Sequence, residues 1–347
     1  YFYNLAQLAF PIRDNHFAFF QLPVTTPFRT KESIDSFVQT VTFKEYPAVN
    51  LSIDSLKAAL SAKESSSVEG VYYYDKFYTL GVFKAGEKEY TGIILSSELK
   101  FWTPGQVAFR LYESRPNTFK GVYAHPYTKH FMLHNIEKYY DQTLAGANFF
   151  ASFSTATYTK RKDVKDYVNS TRKTPEFEFR QIDENIQYIR VGTFQRNKVT
   201  SKKSADFYDS IQPLLKSDNI IFDLRNNMGG ASYEAKKYVK MIKRFARHHK
   251  VYLLLNFTTL SQAEIVTIRL KNKRNIITVG QTTKGMVAYG QNMSNREYLP
   301  SKRFVVETTD MKDGNFQEYE DVGIEPKIWL TSDADWIEQV KAIIAAR

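Results

Sequence analysis

The sequence predicts a mixed α/β chain, α+β overall. It divides into an N-terminal helical segment over 1–64, a β-rich middle domain and linker over 65–174, and an α/β core over 175–347. Three observations predict this. Apolar runs of strand length alternate with stretches of helical periodicity after Glu184. Short strand-like segments separated by turn residues fill the middle. The 26 Phe and 23 Tyr in 347 residues suit packed, strand-rich architecture rather than disorder.

At the start, Leu5, Leu8, Ala9 and Ile12 lie on one helical face, and Asp14-Asn15-His16 ends the run. Leu22–Arg29, with two prolines, reads as irregular, and Lys31–Thr40 as a second helix. Ser52 is placed to cap a short helix over Leu56 and Leu60, and Ser65-Ser66-Ser67 marks a boundary. Val71–Tyr74, Tyr78–Phe83, Glu89–Leu95 and Gln106–Tyr112 then read as consecutive strands of an antiparallel sheet or small barrel. His130 and His134 fall one helical turn apart, with His125 in the same region, but a metal site needs a third ligand, preferably a carboxylate placed with them, and none is evident. Lys160–Lys173 is charged and linker-like. Ile186–Thr193 reads as the first core strand and Ser204–Leu215 as the first core helix.

Two strand-to-helix joints dominate the core. In the first, Ile220, Ile221, Phe222 and Leu224 make the apolar run of a strand covered on both faces. Asn226, Asn227, Gly229 and Gly230 follow, residues that tolerate unusual backbone angles, and then an amphipathic helix. Such a turn presents backbone N–H groups to an anion. In the second joint, strand Val251–Asn256 leads to a helix starting near Ser261. A serine there can cap the helix, or it can be a nucleophile at an exposed strand end, and spacing alone leaves both readings open.

The motifs NIIFDLRNNMGG (219–230), TTLSQAE (258–264), VGQTTKG (279–285) and VGIEP (322–326) occur in that order. Together they resemble the core of the tail-specific, or C-terminal-processing, serine peptidases, the family that includes the tricorn protease core. The resemblance covers about half the chain, from Glu184 on. It implies a crotonase-like core, peptide-bond hydrolysis without metal or cofactor, and Ser261 as the nucleophile. It also implies an oxyanion hole from backbone N–H groups at Gly229, Gly230 and Gln262. The PDZ module that family members carry near the middle of the chain has no evident carboxylate-binding loop here.

A serine hydroxyl needs a base to take its proton. The family uses either a lysine in a G-K-G motif or a histidine supported by glutamate. Met286 follows Gly285 where that lysine would stand, and methionine accepts no proton. Lys284 is two positions away, a displacement of about 6–7 Å in an extended segment. The segment Leu8–Phe20 resembles the one that carries the histidine in tricorn-like members, with His16 at the matching position. Glu320, just before the VGIEP motif, matches the supporting glutamate, while Lys327 replaces the aspartate that usually follows the proline. His248-His249 end a basic helix, and the three middle-domain histidines lie where the family has no match. The resemblance therefore implies a triad of Ser261, His16 and Glu320, working by the logic of Ser-His-Asp sites on unrelated folds.

Composition bounds the alternatives. Without cysteine there is no thiol catalysis, thiolate metal site or disulfide. A net charge of +11 fits nucleic acid or an anionic surface. However, the densest basic run (Lys236, Lys237, Lys240, Lys243, Arg244 and Arg247) lies opposite the apolar stripe of its helix, as a solvated face would, and no nucleic-acid motif is present. No apolar run reaches the roughly 18 residues of a membrane span. The chain opens at Tyr1 with no signal-like stretch, the expectation for a mature product of an exported bacterial protein. The expected partner is a peptide or protein substrate. The alternative is a catalytically inactive ligand- or peptide-binding protein on the same fold.

Overall fold

A computed structural model describes residues 1–23, 30–146, 157–171, 173–293 and 295–346. Most of Leu22–Arg29, expected to be irregular, lies outside the described residues. The chain divides into two compact units, Tyr1–Val164 with Gln291–Asp310, and Lys165–Gly290 with Met311–Arg347.

In the first unit, eight antiparallel strands among the described residues close into a ring running from Gly70–Tyr74 to Tyr158–Thr159. Closure removes the unpaired edges of an open sheet. Fully buried Tyr72, Tyr74, Phe109, Phe119, Tyr123 and Tyr158 fill this barrel, as the aromatic richness of the chain predicts. Strand Phe131–Tyr140 also pairs with Ala18–Gln21, which in turn pairs with Phe304–Thr308 and through it with Asn295–Tyr298. A stretch expected in the core thus extends the barrel sheet instead. The opening helix spans Phe2–Gln7 and buries Phe2, Tyr3 and Ala6, whereas Leu8 is 78 % exposed. It ends before the expected apolar stripe can form, and the aromatic residues take its place. His134 lies within strand Phe131–Tyr140, so the helical spacing read for His130 and His134 does not hold.

In the second unit, strands Ile186–Val191, Asn219–Asp223, Lys250–Leu255, Ile276–Gly280 and Ile328–Trp329 run parallel in chain order, with Phe177–Asp183 antiparallel at the edge. The strands expected around 219–224 and 251–256 are neighbours, Asn219 opposite Lys250. Helices Lys198–Ile211, Ser232–Phe245 and Gln262–Lys271 connect successive strands. Ile220, Phe222, Val251 and Leu253 pack against these connecting helices. Ile221, Tyr252 and Leu254 face Trp336 and Val340 of helix Trp336–Ala345 on the other side. Helix Lys198–Ile211 begins six residues before the expected start. Asn197 sets that start, its Oδ1 accepting from Val199 and Thr200 N–H at 3.1 and 2.9 Å.

The expected linker is partly built into this unit. Tyr167 and Val168 pack beneath the sheet, and the Tyr167 carbonyl accepts from Arg225 Nη1 at 2.9 Å. Arg225 in turn grips Asp223 at the strand end, with Nε–Oδ2 at 3.0 Å and Nη2–Oδ2 at 2.7 Å. Tyr188 Oη donates to the same carboxylate at 2.8 Å, and Arg190 Nη1 stands 3.6 Å away. Burial pushes the Asp223 carboxyl up, but Arg225 and Arg190 outweigh it and hold the group below the usual carboxylate value. Asp223→Ala leaves two buried guanidinium groups uncompensated, at an expected cost of about 3–5 kcal/mol. Urea unfolding of the variant checks this, and a loss below about 1 kcal/mol refutes it.

Candidate active site

The site is built on the two joints at the C-terminal ends of strands Asn219–Asp223 and Lys250–Leu255. Asparagines tie the turns together. Asn227, fully buried, donates from Nδ2 to the Val191 carbonyl at 2.8 Å and accepts at Oδ1 from Gly229 N–H at 2.9 Å. Its own carbonyl accepts from Leu260 N–H at 3.1 Å. Asn256, also fully buried, accepts from Asn226 N–H at 3.0 Å and donates to Asn226 Oδ1 at 2.9 Å. Thr259 Oγ1 donates to the Leu224 carbonyl at 2.9 Å. Gly229, at φ +87°, lies against the second joint: a Cβ there would be 2.7 Å from Gln262 N and 2.8 Å from Ser261 Cβ. Only glycine permits that approach.

Ser261 has φ 55° and ψ −123°. The ordinary caps of this chain are extended, as Asn197 at −144°, 165° and Thr30 at −122°, 158° illustrate. Ser261 departs from them, in a sparsely populated region that costs a β-carbon residue on the order of 1–3 kcal/mol. Tertiary bonds hold it there. Its N–H donates to the Met286 carbonyl at 2.9 Å and to Glu264 Oε2 at 3.2 Å.

Glu264, one turn into the same helix, is fully buried. Its Oε1 accepts from Thr283 Oγ1 at 2.6 Å and Gly285 N–H at 2.8 Å, and its Oε2 from Met286 N–H at 2.9 Å. Glu320, also buried, accepts at Oε2 from Val287 and Ala288 N–H, both at 2.8 Å. Four successive amides, 285 to 288, thus donate to two buried carboxylates. Burial pushes the Glu264 carboxyl up to about 7, the bonds from Thr283, Met286 and Gly285 oppose that rise, and the charge of Glu320 adds to it. The VGIEP motif meets VGQTTKG through Ile324 N–H to Thr283 Oγ1 at 2.7 Å and Asp321 N–H to the Gly285 carbonyl at 2.9 Å.

Of the residues expected at the site, Ser261, Gln262 and Gly229 adjoin one another, and Glu320 is tied to them through 285–288. The Gly229 amide is taken by Asn227, which removes it from the expected oxyanion donors. Gly230 differs: Gly229 O and Ala231 N bond to Phe194, so the Gly230 N–H points the other way and meets no acceptor among the described residues. The Gln262 N–H, at the first turn of its helix, likewise has none there, nor does its buried Nε2. Lys284 donates its amide to the Thr259 carbonyl at 3.3 Å, and Met286 stands beside Ser261. His16 belongs to the barrel unit, where its N–H donates to Asp14 Oδ1 at 2.9 Å. Asp14 Oδ2 accepts from Thr309 Oγ1 at 2.6 Å, and Asn135 Nδ2 donates to the Phe17 carbonyl at 2.5 Å, which fixes the His16 turn to its sheet. Glu264 is absent from the expected triad, although its S-x-x-E spacing from Ser261 is a capping-box signal.

No family model matches the sequence, and no curated protein does. Among solved structures, the chain is similar to an S41 protease from Bacteroides fragilis, at 14 % identity, a TM-score of 0.36, and 92 % and 99 % of the two chains covered. It is similar to the photosystem II D1 C-terminal processing protease at 13 %, 0.33, and 98 % and 90 %. It is also similar to the tricorn protease at 11 % and 0.34, covering 79 % of this chain but 28 % of that one. These structural neighbours are named proteases.

The raised Glu264 carboxyl links the site to pH. Its folded value, about 7, lies above the unfolded 4.5, so between the two the native chain holds a proton that the unfolded chain has lost. The stabilisation is complete below about 4.5 and is lost as pH rises through about 7. We expect the stability difference between wild type and Glu264→Gln to shrink or reverse by roughly 1–3 kcal/mol across that window. Urea unfolding at several pH values measures it, and parallel stability curves for the two proteins refute it.

Proposed function

We propose that this chain is a serine peptidase with Ser261 as nucleophile. The observation that carries the reading is the Ser261 backbone. A serine held at φ 55° and ψ −123°, where a buried strand turns into a helix, has the strained joint that exposes a hydroxyl for attack. A capping role does not require those angles.

In this reading Ser261 Oγ attacks the scissile carbonyl carbon while its proton passes to His16, the assigned base, oriented by Glu320. The carbonyl oxygen, now negative, is received by the amides of Gln262 and Gly230. Gly229 supplies the close packing rather than a donor. His16 then delivers the proton to the leaving amine, the acyl-enzyme forms, and water attacks it by the same route to release the acid. Met286 beside Ser261 supports histidine over a serine–lysine pair, because a thioether takes no proton. We further read the second unit as a crotonase-like core and the chain as an exported protein.

Fluorophosphonate labelling tests the reading. Wild type should label stoichiometrically and Ser261→Ala not at all. His16→Ala should label at least about a hundredfold more slowly. A wild type that never labels is a binding protein on this fold. A His16→Ala variant labelled at the wild-type rate moves the base elsewhere, with Lys284 the next residue to substitute.

A further inference from the structure

We infer that the basic face of helix Ser232–Phe245 is an exosite for an acidic stretch of the polypeptide being cleaved, an inference that rests on the peptidase reading above. Residues 235–250 hold seven lysines and arginines and no Asp or Glu. Lys236, Lys240, Lys243, Arg244 and Arg247 are exposed and recur every three or four residues, which makes one stripe. Lys237 pairs with Glu234 at 3.0 Å and Arg244 Nη2 donates to Gln212 Oε1 at 2.9 Å. Among the described residues, Lys236, Lys240, Lys243 and Arg247 meet no carboxylate. At the far end of the helix, Asn275 Nδ2 donates to the Ala246 carbonyl at 3.1 Å, which ties the loop carrying exposed Lys273 and Arg274 to that end. Asp218 stands 3.7 Å from His249 Nδ1 near that end.

A face that is merely solvated does not need this pattern. Like charges at these spacings destabilise a helix, and the dipole compensates them only in its last turn, where Lys243 and Arg244 stand. Lys236 and Lys240 lie outside that turn. The position of the stripe selects its occupant. The helix begins two residues after Gly230, whose amide is assigned to the oxyanion. At its head is Tyr233, 71 % exposed, with the Arg196 guanidinium 5.7 Å from the ring centroid. Fourteen helical residues span about 21 Å. An extended polypeptide covers that length in about six or seven residues. A chain engaged at Ser261 can therefore lay carboxylates along the stripe within that distance of the scissile bond.

The test separates binding from hydrolysis. In the full chain carrying Ser261→Ala, a fluorescent peptide with a run of glutamates should bind at low salt at least about tenfold tighter than its glutamine counterpart. The preference should vanish in Lys240→Glu/Lys243→Glu and near 1 M salt, where the screening length falls to about 3 Å. In the wild type, glutamates should lower KM and leave kcat unchanged, and the double variant should cut both peptides like the neutral one. Equal affinity for the two peptides overturns the exosite. So does a preference that survives charge reversal, or capture of the chain by phosphatidylglycerol vesicles with no preference for glutamate. Failure of wild-type Ser261 to label defeats the peptidase reading by itself, while anisotropy still decides what the face binds.

Discussion

The segment 285–288 is strung between two buried carboxylates, and the arrangement around Ser261 depends on that pairing. Gly285 and Met286 donate to Glu264, Val287 and Ala288 donate to Glu320, and the Met286 carbonyl accepts the Ser261 amide. An ionised carboxylate taken out of water is costly unless its oxygens are fully occupied. Here the occupants come from backbone that would itself be unsatisfied if buried without them. Thr283 extends the link, since its hydroxyl donates to Glu264 and accepts from Ile324. Three of the four sequence motifs, TTLSQAE, VGQTTKG and VGIEP, therefore meet at one glutamate.

The fourth motif joins through packing and amide side chains. Gly229 closes against Ser261 and Gln262, and Asn227 bonds to Val191, Gly229 and Leu260 at once. Any displacement of this turn would alter the Leu260 amide one residue before Ser261. The strained serine is thus held from both sides, by Asn227 through Leu260 and by Glu264 through its own amide. Strain of this kind persists only where the surroundings over-determine it.

Much of this core was legible because its strands are buried on both faces, so Ile220–Phe222 and Leu253–Leu255 read as apolar runs whatever their partners. The joint at Ser261 was legible as a place but not as a conformation. Its angles come from Met286 and Glu264, contacts remote in sequence or hidden inside a motif that ordinarily means a cap. The misread elements share a cause. Residues 295–308 fall inside the span expected as the core, but position in the chain does not say which sheet a segment joins, and this one extends the barrel sheet. His130 and His134 fit a helical interval that their strand does not use. Asn197 captured the start of its helix because a side-chain oxygen meeting two amides outweighs the apolar pattern that pointed further on.

If Ser261 is the nucleophile proposed above, two buried carboxylates beside it would oppose the negative charge that develops on a substrate carbonyl. Three features offset them. Each is bonded by at least two amide donors, which draw its charge toward the backbone of 285–288. The proposed donor Gln262 opens a helix of ten residues, whose N-terminal end carries partial positive charge. Glu264, pushed up to about 7 by burial and further by the charge of Glu320, carries a reduced negative charge near neutrality. The proton it takes comes at the expense of the acceptor that the Ser261, Gly285 and Met286 amides share. Holding the Ser261 backbone in place and relieving negative charge therefore pull Glu264 in opposite directions, and its raised pKa places the balance between them close to neutrality.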